Sequence, residues 1–444
     1  MKEVNKEMKK IVCLFVLLLI ALVPPQASQA SWPQTSSVPS LEARIDTYLQ
    51  PLLKANHFSG VILIVQQDKV VYEKGFGLAH AGHNVPNRPD TRFCIASITK
   101  SMTRAIAIRL LQERKLGLQD KLSKWVPDFP KGDQITVELL LRHRSGLPHR
   151  ITKPEEESLR YTPADMVEKA KQAQLVFQPG ERSLYSSTGY SVLARVLELA
   201  SGKTYAQLLQ EHIFAPAGMK QAVDFNGETI IPHLAQEYFL DTTGLVNAPL
   251  KDYSFIVGAG SVCSTARDVY RFGEAVLDGK YGEGVKLSLT RDGVYSDNGS
   301  TNGFRCFTTI DRQKGYGFVV AANLESGAND LLGRDLPKIL QGESVAPPKI
   351  PTPAIIQMTS AQLAEYVAVY KRDETEFRLR VSDNQLYGAN FKFLPVGKDR
   401  FFNLGYYAEI TFVRNADGTI KELEWDAPGG KSTWTRQPLL QANK

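Results

Sequence analysis

Arg92-Phe93-Cys94-Ile95-Ala96-Ser97-Ile98-Thr99-Lys100 leads into apolar residues at Ile98, Met102, Ile106 and Leu110. That spacing predicts a helix from Ser97 to Leu111. Ser97 then falls in the first turn, where free backbone N–H groups and the helix dipole favour negative charge developing nearby. Lys100, three residues on, shares its face. A neutral, partly buried lysine can accept a hydroxyl proton, whereas an exposed lysine near its reference pKa cannot. The pair is a candidate nucleophile and proton acceptor. By itself the spacing also fits a plain helix start with a surface lysine, so the surrounding chain has to decide.

Upstream, Val61–Val65 and Val70–Tyr72 flank Gln66-Gln67-Asp68-Lys69 and read as a hairpin. Downstream, Pro163–Ala173 and Tyr190–Ala200 read as helices. Phe304–Ile310 and Gly317–Ala322 read as paired strands about a turn at Asp311–Gly315. Strands at both ends with helices between predict an α+β unit over residues 41–341, its single antiparallel sheet assembled from the two chain ends. Gly342–Pro353 then holds four prolines in twelve residues, so 342–357 is an extended linker. Such a linker predicts a catalytic domain that folds without the C-terminal residues beyond it. Residues 358–444 carry short alternating strands at Phe377–Val381, Gln385–Tyr387, Ile410–Arg414, Ile420–Trp425 and Ser432–Arg436. Asp383-Asn384 and Asp417-Gly418 are hairpin turns, and the whole reads as a small closed or nearly closed β-barrel.

The first thirty residues stand apart. Lys2, Lys6, Lys9 and Lys10 precede thirteen apolar residues, Ile11–Val23, and Ser28-Gln29-Ala30 supplies a small-residue cleavage signal. This is the order of a secretory signal peptide, and the run is short for a membrane span. Residues 31–40 are a loose leader. Cleavage after Ala30 removes four lysines and two glutamates, taking the formal charge from +6 to +4, with no basic run. Nucleic-acid binding is excluded on that ground, and no stable membrane anchor is expected after cleavage. Cys94, Cys263 and Cys306 remain, too widely spaced for a disulfide framework. One bridge could form, but they read as three small buried residues. No Cys/His pairing has zinc spacing, and neither a metal nor a cofactor is expected.

Further blocks come after the Ser97 segment in order. They are Ile135-Thr-Val-Glu-Leu-Leu-Leu-Arg-His143-Arg-Ser-Gly-Leu-Pro148, Phe177-Gln-Pro-Gly-Glu-Arg-Ser-Leu-Tyr185-Ser-Ser-Thr-Gly-Tyr190 and Gly258-Ala-Gly-Ser-Val-Cys-Ser-Thr-Ala-Arg-Asp268. With Gly75-Phe-Gly-Leu-Ala79 and Pro89–Phe93 before it, the chain from 41 to 335 resembles the serine β-lactamase/class C penicillin-binding family. That family includes β-lactamases, D,D-peptidases, D-aminopeptidases and esterases. The resemblance implies the β-lactamase/D,D-peptidase-like fold, an antiparallel sheet with a helical subdomain. Residues 360–437 resemble the lipocalin-like β-domain often appended to such hydrolases.

The resemblance assigns roles residue by residue. Ser97 and Lys100 match S-x-x-K, and Tyr185 matches the acid/base phenol of Y-x-N. Ser187 replaces the usual Asn, so one hydroxyl donor stands in for a two-donor amide. Asp297-Asn298-Gly299 stands where relatives carry K-T-G or H-x-G, putting a carboxylate in place of a cation or imidazole. Ser187, Asp297 and Gly299 are therefore the substrate-binding candidates. The backbone N–H groups of Ser97 and Ser300 would form the oxyanion hole. Ser296-Asp297-Asn298 spells S-D-N, the second element of class A enzymes, but lies where the third belongs. His143 lies in a block that is structural in relatives.

These assignments predict a secreted serine hydrolase that forms an acyl-enzyme on Ser97, acting on an ester, amide, peptide or lactam. The alternatives are a catalytically weak penicillin-binding or sensor protein on the same scaffold, or a surface interaction protein. N-terminal sequencing of exported protein is expected to begin Ser31-Trp32-Pro33. A mature chain retaining Ile11–Val23 would overturn the signal-peptide reading.

Overall fold

The computed structural model describes residues 39–438 except 302, 374, 389 and 390. The signal peptide read at 1–30, and the leader at 31–40 apart from its last two residues, lie outside the described residues. Among the described residues no helix is long and apolar enough to cross a membrane.

Helix α1 (Leu41–Lys54) precedes the expected hairpin of β1 (Gly60–Gln66) and β2 (Lys69–Phe76). The helical part comes next, including α2 (Ile98–Gln112), α3 (Ser187–Ser201) and α4 (Ala266–Leu277). The chain then returns through β3 (Thr290–Arg291), β4 (Val294–Ser300), β5 (Arg305–Asp311), β6 (Tyr316–Ala322) and α5 (Gly327–Leu340). The six strands form one sheet in the order β3-β4-β5-β6-β1-β2. The N-terminal hairpin joins the returning strands at the antiparallel pair β1–β6, running from Gly60↔Ala322 to Gln66↔Tyr316. The sheet joins the two chain ends, as the alternation of elements predicts.

Strand β1 is an unbroken apolar run because both of its faces are covered. Val61, Leu63 and Val65 join Val319 and Ala321 against the helical subdomain, with Ile98, Met102 and Phe272. Ile62 and Ile64 point the other way, to Leu49, Leu336 and Ile339 of α1 and α5.

Two of the three cysteines are bonded. Phe93–Cys94 pairs with Val262–Ser264, placing Cys94 opposite Cys263, and the two form a disulfide. This corrects the reading of three small buried residues, which holds for Cys306 alone. The bridge closes a sequence separation of 169 residues, a distance at which spacing carries no signal.

The C-terminal part is a closed eight-stranded barrel: β7 (Val369–Arg372), β8 (Thr375–Ser382), β9 (Gln385–Gly388), β10 (Phe391–Gly397), β11 (Arg400–Asn403), β12 (Ala408–Arg414), β13 (Ile420–Ala427) and β14 (Gly430–Arg436). Closure leaves no free edge. Its interior holds Tyr370, Leu379, Phe393, Phe401, Ile410 and Leu423. Strand β10 escapes sequence reading because Pro395 argues against a strand. The structure accommodates it at a register shift between Pro395 and Gly397.

Residues 342–357 form no regular element, yet they are not a free tether. Val345 and Ile350 pack on the α1/α5 cluster, and the Ile356 N–H donates to Pro395 O at 2.9 Å. Tyr238, Leu240, Leu324 and Leu331 form one apolar cluster with Phe402 and Tyr407 of the barrel. Lys392 pairs with Asp241 at 2.5 Å. Gly327 admits the Tyr407 ring, since a Cβ there would lie 2.5 Å from Cγ. The barrel is thus packed onto the α+β part.

Replacing both bonded cysteines by serine is expected to lower stability by about 2–5 kcal/mol, because the open chain regains the freedom of a long loop. Thermal unfolding of oxidised wild type against Cys94→Ser/Cys263→Ser checks this. Equal midpoints would contradict it.

Candidate active site

Ser97 caps α2 from a turn in which Ala96 takes the left-handed conformation, φ 48°. That conformation is costly for a residue with a Cβ and persists only where surrounding contacts impose it. The Ser97 side chain makes no cap hydrogen bond, so its hydroxyl stays available. Lys100 Nζ donates to Ser97 Oγ at 3.3 Å, and the Tyr185 hydroxyl donates to the same oxygen at 2.9 Å. The three side chains assigned by resemblance therefore meet at one atom.

Lys100 is only 6% exposed, and its amine donates to Ala259 O at 2.7 Å. Burial disfavours the charged amine, Arg150 adds to this, and Asp297 opposes it; the pKa falls to about 7. Near neutral pH a large fraction is therefore an unprotonated amine beside a hydroxyl.

Tyr185 precedes Ser186, whose side chain caps α3 by accepting from the Gly189 N–H. Its ring lies against His143 (centroids 4.7 Å) and His149 (5.4 Å). His143 Nδ1 accepts the Ser186 N–H at 3.1 Å, fixing the backbone next to Tyr185. Burial lowers both imidazoles to about 4, so both are neutral at pH 7. His143 packs and orients, in keeping with the structural part expected of its block. Although 46% of Tyr185 is accessible, its hydroxyl end faces inward; burial raises its pKa, and the Ser97 bond opposes the rise.

Strand β4 closes the other side. Gly299 has no room for a side chain: a Cβ would lie 2.1 Å from Ile95 O and 2.8 Å from Ser97 N. Beyond it the Thr301 N–H donates to Phe304 O at 3.0 Å. Antiparallel pairs alternate, so the preceding pair, Ser300↔Arg305, is non-hydrogen-bonded and the Ser300 N–H faces away from β5. The Ser97 N–H has no acceptor among the described residues. Two backbone donors thus border the space in front of Ser97 Oγ.

Asp297 is held by Ser101 Oγ (2.6 Å), the Tyr295 hydroxyl (3.2 Å) and the Asn298 N–H (2.8 Å). Burial raises its pKa against these three donors. The cleft, about 420 Å³, is lined by Ser97, Lys100, Tyr185, Asp297, Asn298 and Ser300, with Arg104 and Tyr190 further in. Arg104 donates to the Tyr190 hydroxyl at 3.1 Å and to Leu141 O at 3.3 Å.

Two sequence candidates do not line this cleft. Ser187 borders a separate small cavity with His149 and Arg150, and its N–H donates to His149 O at 3.1 Å. Gly299 is the spacer that lets β4 approach Ser97. Conversely, Ser101 and Arg104 escape the motif reading, though each lies four residues along α2 from Ser97 or Lys100. Helical periodicity carries that signal. Asn298 has no signal beyond its neighbours. A larger cavity of about 670 Å³ lies elsewhere, beside Asp68 and Glu274. Its arginines are paired, Arg267 with Glu73 at 2.9 Å and Arg312 with Asp278 at 2.6 Å, and its lining holds no serine, cysteine or lysine.

A lysine whose folded pKa is about 7 against an ordinary value of 10.5 binds fewer protons folded than unfolded between those limits. Its penalty is full below pH 7 and is relieved as pH rises toward 10.5. The stability of Lys100→Met minus that of wild type is therefore expected to fall from pH 6 to pH 10, read from chemical unfolding across that range. A difference independent of pH would exclude the depressed amine.

Comparisons with known proteins assign the chain to a family. A family model described as Beta-lactamase matches residues 45–341. Penicillin-binding protein 4* of Bacillus subtilis (strain 168) is 30% identical over 310 residues, 64% of this chain and 64% of that protein. The teichoic acid D-alanine hydrolase of Staphylococcus aureus is 29% identical over 227 residues, 51% of this chain and 55% of that protein. The D-amino acid amidase of Ochrobactrum anthropi SV3, in complex with D-phenylalanine, superposes with a TM-score of 0.60 at 25% identity, covering 68% of this chain and 99% of that one. The chain belongs to the beta-lactamase family and is a serine hydrolase of that family.

Proposed function

We propose that the protein is an exported acyl-transfer hydrolase that cleaves esters or amides whose acyl group bears a free amine, through an acyl-enzyme on Ser97. The observation that carries this is the convergence of Lys100 Nζ and the Tyr185 hydroxyl on Ser97 Oγ, with the amine depressed to about 7. Lys100 takes the Ser97 proton as Oγ attacks the carbonyl. The Ser97 and Ser300 N–H groups meet the developing oxyanion. Tyr185 passes a proton to the leaving group, and water then resolves the ester on Ser97. Export is supported by the apolar run behind four lysines and by the Cys94–Cys263 disulfide, a bond typical of oxidising compartments.

The substrate class rests on Asp297. Its carboxyl lines the cleft with three donors already in place, so an incoming ammonium group stabilises the carboxylate that burial alone disfavours. A substrate carboxylate meets the opposite situation. Two like charges about 4 Å apart cost about 4 kcal/mol at an effective dielectric of 20, roughly a thousandfold in affinity. The names of two relatives, a teichoic acid D-alanine hydrolase and a D-amino acid amidase, are consistent with amine-bearing acyl groups.

Ser97→Ala is expected to abolish labelling by a fluorophosphonate together with hydrolysis. Asp297→His is expected to raise kcat/KM for a penicillin and lower it for a D-alanyl ester. Fast penicillin turnover by wild type, or equal effects on both substrates, would show that Asp297 does not set the substrate class. Activity surviving in Ser97→Ala would overturn the mechanism itself.

A further inference from the structure

Two adjacent tyrosines in the barrel turn between β11 and β12 reach into the catalytic part, and they end in different places. The Tyr407 hydroxyl hydrogen-bonds His57 Nδ1 at 2.6 Å, far from the cleft in sequence and contacts. The Tyr406 hydroxyl donates to Glu325 Oε1 at 2.8 Å. Glu325 is 3% exposed and sits in a short strand paired with Tyr238–Asp241. Its carboxyl also accepts the Gly303 N–H at 3.2 Å and the Ser300 hydroxyl at 3.4 Å. One buried carboxyl therefore ties the barrel to both ends of the turn that terminates β4. A second tie runs beside it: Arg305, directly opposite Ser300, pairs with Asp330 of α5 at 2.5 Å.

We infer that Tyr406 is a positioning residue for acyl transfer, by which the barrel fixes, through Glu325, the turn carrying the Ser300 N–H. The inference rests on the proposed role of that N–H toward the oxyanion. A buried carboxyl that loses one of three donors is less stable as an anion, because nothing replaces the lost bond, and a carboxyl driven toward its neutral form is the weaker acceptor for the remaining two. The turn then loosens at Gly303 and at Ser300, which lines the cleft with Ser97. A donor aimed at the transition state loses value quickly with misplacement, whereas ground-state binding does not depend on it. The barrel is in this sense part of the acylation machinery without touching substrate.

The test uses the full chain. Tyr406→Phe removes one oxygen and leaves the ring packed on Phe391 and Trp425, with centroids at 4.8 and 5.6 Å. Its kcat for a D-alanyl ester is expected to fall about tenfold with KM within twofold, a fraction of the loss expected for deleting a whole oxyanion donor. Tyr407→Phe removes the neighbouring hydroxyl from the same turn, and Lys392→Ala removes the ion pair to Asp241. Both are expected to lower the thermal midpoint while leaving kcat unchanged. Wild-type kcat in Tyr406→Phe, or equal losses in all three variants, would overturn the inference and reduce the contact to ordinary packing. A wild type that never acylates Ser97 would overturn the acyl-transfer reading and this inference with it.

Discussion

A lysine amine sealed from water is an expensive object, since the protonated form forfeits hydration that one carbonyl cannot replace. Lys100 nevertheless sits under the Ser97 hydroxyl with Ala259 O as its other partner. Much of the catalytic part can be understood as the enclosure needed to keep it there. Helix α2 is buried on nearly every side, including Thr99, Thr103 and Ala107. The Cys94–Cys263 bridge holds the segment entering α2 against the one just beyond Ala259. Gly299 allows β4 to approach until backbone meets backbone. Each feature excludes water from one direction, and the depressed amine is their joint product.

The charges around that amine are arranged unevenly. Burial, and after it Arg150, press Lys100 toward neutrality, and Asp297 pulls the other way. Asp297 is restrained by the hydroxyls of Ser101 and Tyr295, so its pull is fixed in place. A cleft built this way is sensitive to the charge of the group that enters it. An ammonium group near Asp297 cancels the carboxylate and lets the lysine stay neutral, which is the state a proton acceptor needs.

The fold and the side chains gathered at Ser97 Oγ are legible in the sequence because both are encoded locally. A short unbroken apolar run marks β1, helical spacing marks α2, and Ser97, Lys100 and Tyr185 fall in ordered blocks. The features that escape depend on contacts between distant segments. The disulfide arises from a strand pairing that no spacing announces. Ser187 occupies a motif position, yet its backbone bonds to His149 and places it beside another cavity. Gly299 reads as a contact residue, whereas its role is to have no side chain. The linker's prolines read as separation, but Val345 and Ile350 pack down and the barrel shares an apolar cluster with the catalytic part. Composition describes a segment's stiffness and says little about the surface it lies against.

The seam between β1 and β6 also governs how the molecule can be made. Gly60 pairs with Ala322, so the two pieces of the sheet cannot join until almost all of the catalytic part has been made. Contacts of such long range pay loop closure before they gain pairing, which makes them slow to form. Until then β1 offers a bare apolar edge beside its hairpin partner, the kind of surface on which chains stick to one another. Cys94 likewise waits as a thiol for Cys263 to arrive. Nascent chains of this design therefore pass through a vulnerable interval whose length is set by topology, and a folding helper that shields one strand would act at its most exposed point.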